Sequence, residues 1–224
     1  MLYVNSLVRI GVMKEYLRRI GVNFGAQTFS KFVSLGLGLL NVGLITRYLG
    51  ESGYGNFVLA FAYFAFFGVL ADFGFHLTMV RDLADGKAKN DIYNAFFSLK
   101  LVFLGFSLLL SIFIVPLLPY DSFVKTGIIL GALSSSVGIL NNYGTSIFQS
   151  RLRLDLVAVL EMVTKVGTTL FVLLFIYLDL GFFCVIVSVF FGNVLGLLFI
   201  YLSLFRFATL SFVLDLGMAK KNRL

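Results

Sequence analysis

The fold is decided by long charge-free stretches, of which the clearest is residues 180–205, LGFFCVIVSVFFGNVLGLLFIYLSLF. Three further charge-free windows cover residues 52–71, 101–120 and 126–150. A helix that crosses a hydrocarbon core of roughly 30 Å takes about 20 residues, and each window provides that length. Because such helices satisfy their own backbone hydrogen bonds in lipid, the pattern predicts an all-α membrane protein.

The composition of the whole chain agrees with this prediction. Hydrophobic residues make up 59% of the 224 residues, charged residues only 13%, and the mean hydropathy is +0.98. Soluble domains carry about 25% charged residues, so a water-soluble globular domain is excluded. The single cysteine, Cys184, leaves no partner for an intrachain disulfide.

We predict a bundle of six transmembrane helices over residues 23–206. Residues 1–22 form a basic amphipathic segment that we expect to lie in the headgroup plane, with a frayed basic leader as the alternative. Residues 207–224 form a basic cytoplasmic tail. The spans are expected at about 24–46, 56–80, 95–118, 124–148, 156–178 and 181–205.

The distribution of basic residues predicts the orientation of the bundle. With the N-terminus in the cytoplasm, 13 of the 18 Lys and Arg residues fall in cytoplasmic segments. The outer turns then hold only Arg47 and Lys125. Positive charge is concentrated on the cytoplasmic side of membrane proteins, so both termini are predicted to be cytoplasmic.

Five charged side chains lie within the predicted spans: Lys31, Asp72, Lys100, Glu161 and Lys165. A charge at the centre of a membrane helix costs roughly 2.5–3.5 kcal/mol on insertion scales, so such residues are usually paired or functional. One interpretation is that they form ion pairs between helices or reach to the surface. The other is that they line a polar cavity for a charged ligand.

Depth and spacing predict how these charges are arranged. Lys31 and Asp72 have similar depths on adjacent antiparallel spans, which favours an ion pair. Glu161 and Lys165 are four residues apart, with the acid first, which favours one helix face. Three lysines against two carboxylates leave a positive surplus, and lysine is a common phosphate ligand. The surplus therefore favours an anionic ligand.

Other polar and small residues have two interpretations each. Ser134, Asn141 and Asn142 in the fourth span face a hydrated path or form hydrogen bonds between helices. Glycines four residues apart mark close helix contacts or occur by chance, and the pairs are Gly21 and Gly25, Gly127 and Gly131, and Gly192 and Gly196. His76 has no second histidine or cysteine nearby, so we predict neither a metal site nor a catalytic site.

Two motifs in the first third of the chain carry a family resemblance. Residues 47–55 read RYLGESGYG, similar to the pattern R-x-L-G-x-x-x-Y-G in the first outer turn of polysaccharide flippases. Residues 72–74 (DFG) with 80–84 (VRDLA) are similar to the pattern D-x-G … V-R-x-L-A at the end of that family's second span. Over residues 23–85 the chain thus resembles the Wzx-type flippases of lipid-linked oligosaccharides, a family grouped with the MATE exporters.

The resemblance implies a fold and a location. Members have two six-helix bundles around a central cavity, and this chain supplies one, resembling the N-terminal lobe of a MATE-like transporter. We therefore expect a truncated chain or a half that pairs with a second six-helix half. The implied location is the prokaryotic plasma (inner) membrane.

The resemblance also implies a transporter rather than an enzyme. It would flip polyprenyl-diphosphate-linked oligosaccharide by alternating access, for surface polysaccharide export. The diphosphate would bind Lys31, Lys165 and Lys100, with Asp72 and Glu161 holding these lysines in the empty cavity. The expected partners are the lipid-linked oligosaccharide, membrane lipids and the second half, with no nucleic acid and no cofactor.

Three other functions remain open. A small-molecule antiporter on the same fold would favour surplus acidic residues in the cavity. A membrane-bound glycosyltransferase or ligase needs a catalytic loop outside the membrane, and the predicted outer turns are too short for one. A membrane scaffold without transport activity also remains open, because the chain supplies only one of the two bundles.

Overall fold

The computed structural model describes residues 2–72, 78, 90–150 and 153–204, and all of the regular secondary structure in them is helical. Its helices are α1 (Leu2–Asp72), α2 (Asn90–Ile114), α3 (Ser122–Ser150), α4 (Leu154–Tyr177) and α5 (Gly181–Leu204), with a short 3₁₀ turn at Val115–Leu117. Within these ranges, all five helices contain a stretch long and apolar enough to cross a membrane. The prediction of an all-α membrane protein is therefore confirmed.

The ends of the chain remain predictions. α1 begins at Leu2, so its backbone includes residues 2–22 of the predicted N-terminal segment. The position of that segment in the headgroup plane is untested. The predicted tail at 207–224, His76 and the basic residues between 79 and 89 all lie outside the described residues.

Gly50 divides α1 into two halves. Its backbone is non-helical, with φ 72° and ψ 178°, a conformation that is essentially restricted to glycine. The apolar stretch Gln27–Asp72 has 46 residues, roughly 69 Å as a straight helix, far more than one bilayer crossing needs. The connection is therefore shorter than the outer turn predicted between spans that end near 46 and begin near 56. Of the glycines in this stretch, Gly53 and Gly55 are helical and Gly50 has a positive φ.

The contacts of the two halves give their directions. Ser30 donates to the Ala158 carbonyl and Tyr48 donates to the Asp179 carboxylate, so residues 27–49 run in the same direction as α4. Residues 51–72 run opposite to α2, as three hydrogen bonds show: Tyr63 to the Ser111 carbonyl, Ser107 to the Phe67 carbonyl and Lys100 to the Asp72 carboxylate.

Contacts of α3 and α5 align the two halves of α1 with each other. A Cβ atom added at each of four glycines would contact a neighbouring helix. The contacts join α1 to α3 at Gly68 with Ile139 and at Gly131 with Ala60, α3 to α5 at Gly144 with Ile200, and α5 to α4 at Gly196 with Thr164. Following these contacts, Ser30 and Asp72 lie at one end of the bundle. Gly50 and Asp179 lie at the opposite end, so the chain reverses at Gly50.

Glycines let the helices approach closely around α3 and α5. A Cβ at Gly131 would come within 2.7 Å of the Ala60 carbonyl oxygen, and one at Gly127 within 2.8 Å of the Phe182 ring. A Cβ at Gly192 would overlap Thr168. The close contacts predicted for the pairs in α3 and α5 are confirmed, whereas Gly25 has open space around its Cβ position.

Candidate ligand cavity

A cavity of about 590 Å³ opens between the first half of α1 and helices α3, α4 and α5. Its volume lies in the range of roughly 300–1,000 Å³ that is usual for small-ligand sites. Its lining combines charged, amide and hydroxyl side chains with a few leucines and glycines: Lys31, Ser34, Leu35, Gly38, Leu39, Gly138, Asn141, Asn142, Thr145, Leu160, Glu161, Thr164, Lys165 and Asn193.

An ion pair crosses the cavity from α1 to α4. Lys31 Nζ lies 2.7 Å from Glu161 Oε1, and the two side chains are 59% and 30% exposed. The predicted pairing of Lys31 with Asp72 is therefore wrong. Similar depth on adjacent spans did not determine which face each side chain occupies, and Lys31 faces α4 instead of the second half of α1.

Lys165 is the cavity's second cation. It follows Leu154, the start of α4, by 11 residues, which places it roughly 16 Å along a helix of 24 residues. Within the described part of the chain, no carboxylate forms an ion pair with it, although Glu161 lies one turn before it. Two lysines and one glutamate in the lining give the cavity a net charge of +1.

The remaining predicted lysine lies elsewhere. Lys100 is 2% exposed and its Nζ lies 3.1 Å from Asp72 Oδ1, so this pair joins α2 to the second half of α1. Neither residue belongs to the cavity lining. The five predicted charges thus form two groups, with Lys31, Glu161 and Lys165 in the cavity and Lys100 with Asp72 outside it.

An amide pair forms the wall opposite these charges. Asn141 Nδ2 on α3 donates to the Asn193 carbonyl at 3.1 Å and to Asn193 Oδ1 at 3.3 Å. Asn193 Nδ2 on α5 donates in turn to the Ser134 carbonyl at 3.2 Å. The lack of a side chain at Gly138 leaves room for the Asn193 amide. Asn141 therefore forms hydrogen bonds between helices and also lines the cavity. The two roles that the sequence left open for it, a link between helices and a wall of a polar cavity, are both present.

Three oxygen atoms in the lining are buried and have no hydrogen-bond partner among the described residues. They are Ser34 Oγ, Asn141 Oδ1 and the second carboxylate oxygen of the ion pair, Glu161 Oε2. A buried acceptor without a donor costs about 1–3 kcal/mol. These atoms mark the part of the cavity that is suited to accept hydrogen bonds from a ligand.

Sequence reasoning missed several of the polar residues in this lining. Asn193 was the one available signal, because an amide interrupts an otherwise apolar span. Ser34 and Thr164 gave no such signal, since hydroxyl groups in membrane helices usually bond to their own backbone, as Thr164 does with the Leu160 carbonyl. Over the described ranges, no group of three His, Cys, Asp or Glu residues could hold a metal ion.

Comparison with known protein families gives a match over most of the chain. A sequence model of the family described as "polysaccharide biosynthesis protein" matches residues 20–223, which include all of the described transmembrane stretches. No curated protein and no solved structure matched the chain.

Proposed function

We propose that this chain, which belongs to the polysaccharide biosynthesis protein family, translocates polyprenyl-diphosphate-linked oligosaccharide across the membrane for surface polysaccharide export. It acts as a transporter of the Wzx type rather than as an enzyme. Family membership supports a role in polysaccharide production. The chemistry of the cavity supports the choice of an anionic, membrane-bound substrate.

The observation that carries the proposal is the unpaired Lys165 in the middle of α4. Lys165 lies at membrane depth, is exposed, and has no counter-ion among the described residues, so its ammonium group is available to an anionic ligand. A diphosphate provides several acceptor oxygens and negative charge. An ammonium group offers three donors, so it binds such a group without a fixed geometry.

The Lys31–Glu161 pair provides the second contact. Lys31 is more than half exposed, so its ammonium group keeps donors free while it remains bonded to Glu161. The diphosphate would bridge Lys165 and Lys31, the sugar would occupy the rest of the cavity, and the polyprenyl tail would stay in lipid. Lys100, which sequence reasoning also assigned to the diphosphate, keeps Asp72 as its partner.

Transport requires the cavity to open to each side of the membrane in turn. We propose that this chain forms a six-span lobe of the MATE-like type, with the two halves of α1 as separate spans. The lobe alternates access with a second six-helix half. The lobe lies in the prokaryotic plasma membrane with both termini cytoplasmic.

The test is complementation of surface polysaccharide export in a flippase-null strain that supplies the second half. Lys165→Gln is expected to abolish export and Lys165→Arg to keep part of it, because the charge is needed. Lys125→Gln is the matched control, since Lys125 lies on α3 outside the cavity lining and bonds to the Pro116 carbonyl. Export is normalised to the amount of protein in the membrane. Full export by Lys165→Gln contradicts the proposal.

A small-molecule antiporter is the second candidate, and one observation favours it. Glu161 Oε2 is buried and accepts no hydrogen bond from the described residues. This oxygen is therefore available to bind a cation or a proton. On that account Glu161→Gln abolishes transport whereas Lys165→Gln preserves it. The same export assay, with Glu161→Gln added, separates the two candidates.

A further inference from the structure

The cavity contains a second kind of binding group besides its lysines. Ser34 Oγ, Asn141 Oδ1 and Glu161 Oε2 belong to its lining, and none has a hydrogen-bond partner among the described residues. Asn141 is 7% exposed. Its amide nitrogen donates to Asn193, and these bonds hold the amide oxygen in place. We call these three atoms the acceptor set.

A diphosphate is poorly matched to the acceptor set, because the Asn141 amide oxygen and the ionised Glu161 carboxylate oxygen can only accept hydrogen bonds. Ionised phosphate oxygens are acceptors, and two acceptors facing each other without a proton between them repel. Carboxylate and amide oxygens donate nothing, and a serine hydroxyl contributes at most one hydrogen. A ligand that occupies the cavity without donating to these atoms leaves the cost of burying them uncompensated. The acceptor set therefore requires a group rich in O–H or N–H donors.

We propose that the acceptor set is a subsite for the sugar hydroxyls adjacent to the phosphate. This inference rests on the proposed function. It assigns the cavity two parts, with Lys165 and Lys31 for the phosphate and Ser34, Asn141 and Glu161 for the sugar. Ser34 lies one turn after Lys31 on α1 and Glu161 one turn before Lys165 on α4, so the two parts are contiguous. Ser34 and Asn141 then act as specificity-determining residues.

Two soluble probes of equal charge separate these parts. Methyl phosphate and glucose 1-phosphate are both phosphate monoesters, and they differ in the sugar hydroxyls. Binding to the full chain in lipid nanodiscs is measured for each probe, with empty nanodiscs subtracted. We expect glucose 1-phosphate to bind more tightly. Equal affinities, or no binding of glucose 1-phosphate, contradict the subsite.

Ser34→Ala is the decisive variant. It removes one member of the acceptor set and breaks no side-chain hydrogen bond within the described structure, so folding should be preserved. We expect affinity for glucose 1-phosphate to fall about three- to tenfold, the worth of one hydrogen bond, with methyl phosphate unchanged. Asn141→Ala should act in the same direction. A loss of the same size for both probes contradicts the subsite.

The chain offers a matched control. Asn41 Oδ1 is also buried without a partner in the described structure, but Asn41 does not line the cavity. Asn41→Ala should change neither affinity. Lys165→Gln should weaken both probes equally. If Lys165→Gln has no effect while Ser34→Ala remains selective, the phosphate role of Lys165 fails and the subsite stands; the reverse pattern refutes the subsite alone.

Discussion

Two interhelical ion pairs among the described residues differ in how deeply their lysines are buried. Lys100 is 2% exposed and held by Asp72, whereas the Lys31 side chain is 59% exposed beside Glu161. Removing one partner of a buried pair leaves an uncompensated charge, which is strongly destabilising. An exposed pair contributes about 0–1 kcal/mol. Breaking the Lys100–Asp72 pair is therefore expected to destabilise the bundle, whereas the Lys31–Glu161 pair remains available for a ligand.

This difference leads to a prediction about stability. Asp72→Asn should destabilise the bundle by up to about 3–5 kcal/mol, because Lys100 loses its counter-charge. The Lys100→Met and Asp72→Asn double variant should recover much of that loss. Glu161→Gln is the matched control and should cost less, since Lys31 is exposed. The measurement is a double-mutant cycle of unfolding in detergent, and strictly additive losses argue against a buried pair.

At the scale of the element, Gly50 sets the path of α1. Residues on both sides of it are helical, and the reversal occurs at this single backbone position. Its φ of 72° with ψ of 178° costs about 1–3 kcal/mol for a residue with a Cβ. Nothing lies within 4 Å of its Cβ position, so the conformation rather than crowding requires glycine here.

Two glycine substitutions test this role. Gly50→Ala should destabilise the bundle by about 1–3 kcal/mol through backbone strain. Gly55→Ala is the control: Gly55 is helical with open space at its Cβ position, so alanine there should be neutral or stabilise by up to about 1 kcal/mol. Thermal unfolding of the two variants in the same detergent gives the comparison. Equal effects of the two substitutions contradict the assigned role of Gly50.

The helices could be predicted from the sequence because a charge-free stretch of sufficient length is a local property, which does not depend on other parts of the chain. The starts of α4 and α5, for example, lie within two residues of the predicted positions. The partners of the charged residues depend on the rotation of each helix about its axis, and that rotation is set by packing, as at Gly192 against Thr168. For this reason depth alone paired Lys31 with Asp72 incorrectly.

At the scale of the whole molecule, the contacts divide the bundle into two ends. Tyr48 donates to Asp179 at 2.6 Å and accepts from the Gly181 N–H at 2.9 Å, which ties the Gly50 reversal to the turn between α4 and α5. Asp121 precedes α3 at this same end, and Arg153 precedes α4 at the other. Every turn at one end should therefore face the same side of the membrane.

This arrangement predicts which fusions to alkaline phosphatase are active. That enzyme is active only outside the cytoplasm. Fusions after Asp121 and after Asp179 should both be active, because their turns share the end that carries few basic residues. Fusions after Arg153 and Lys89 should be inactive, because basic residues accumulate there. Activity after Lys89 and Arg153 with none after Asp121 would reverse the orientation. Different activities after Asp121 and Asp179 would contradict the bundle itself, since one end would then face both sides.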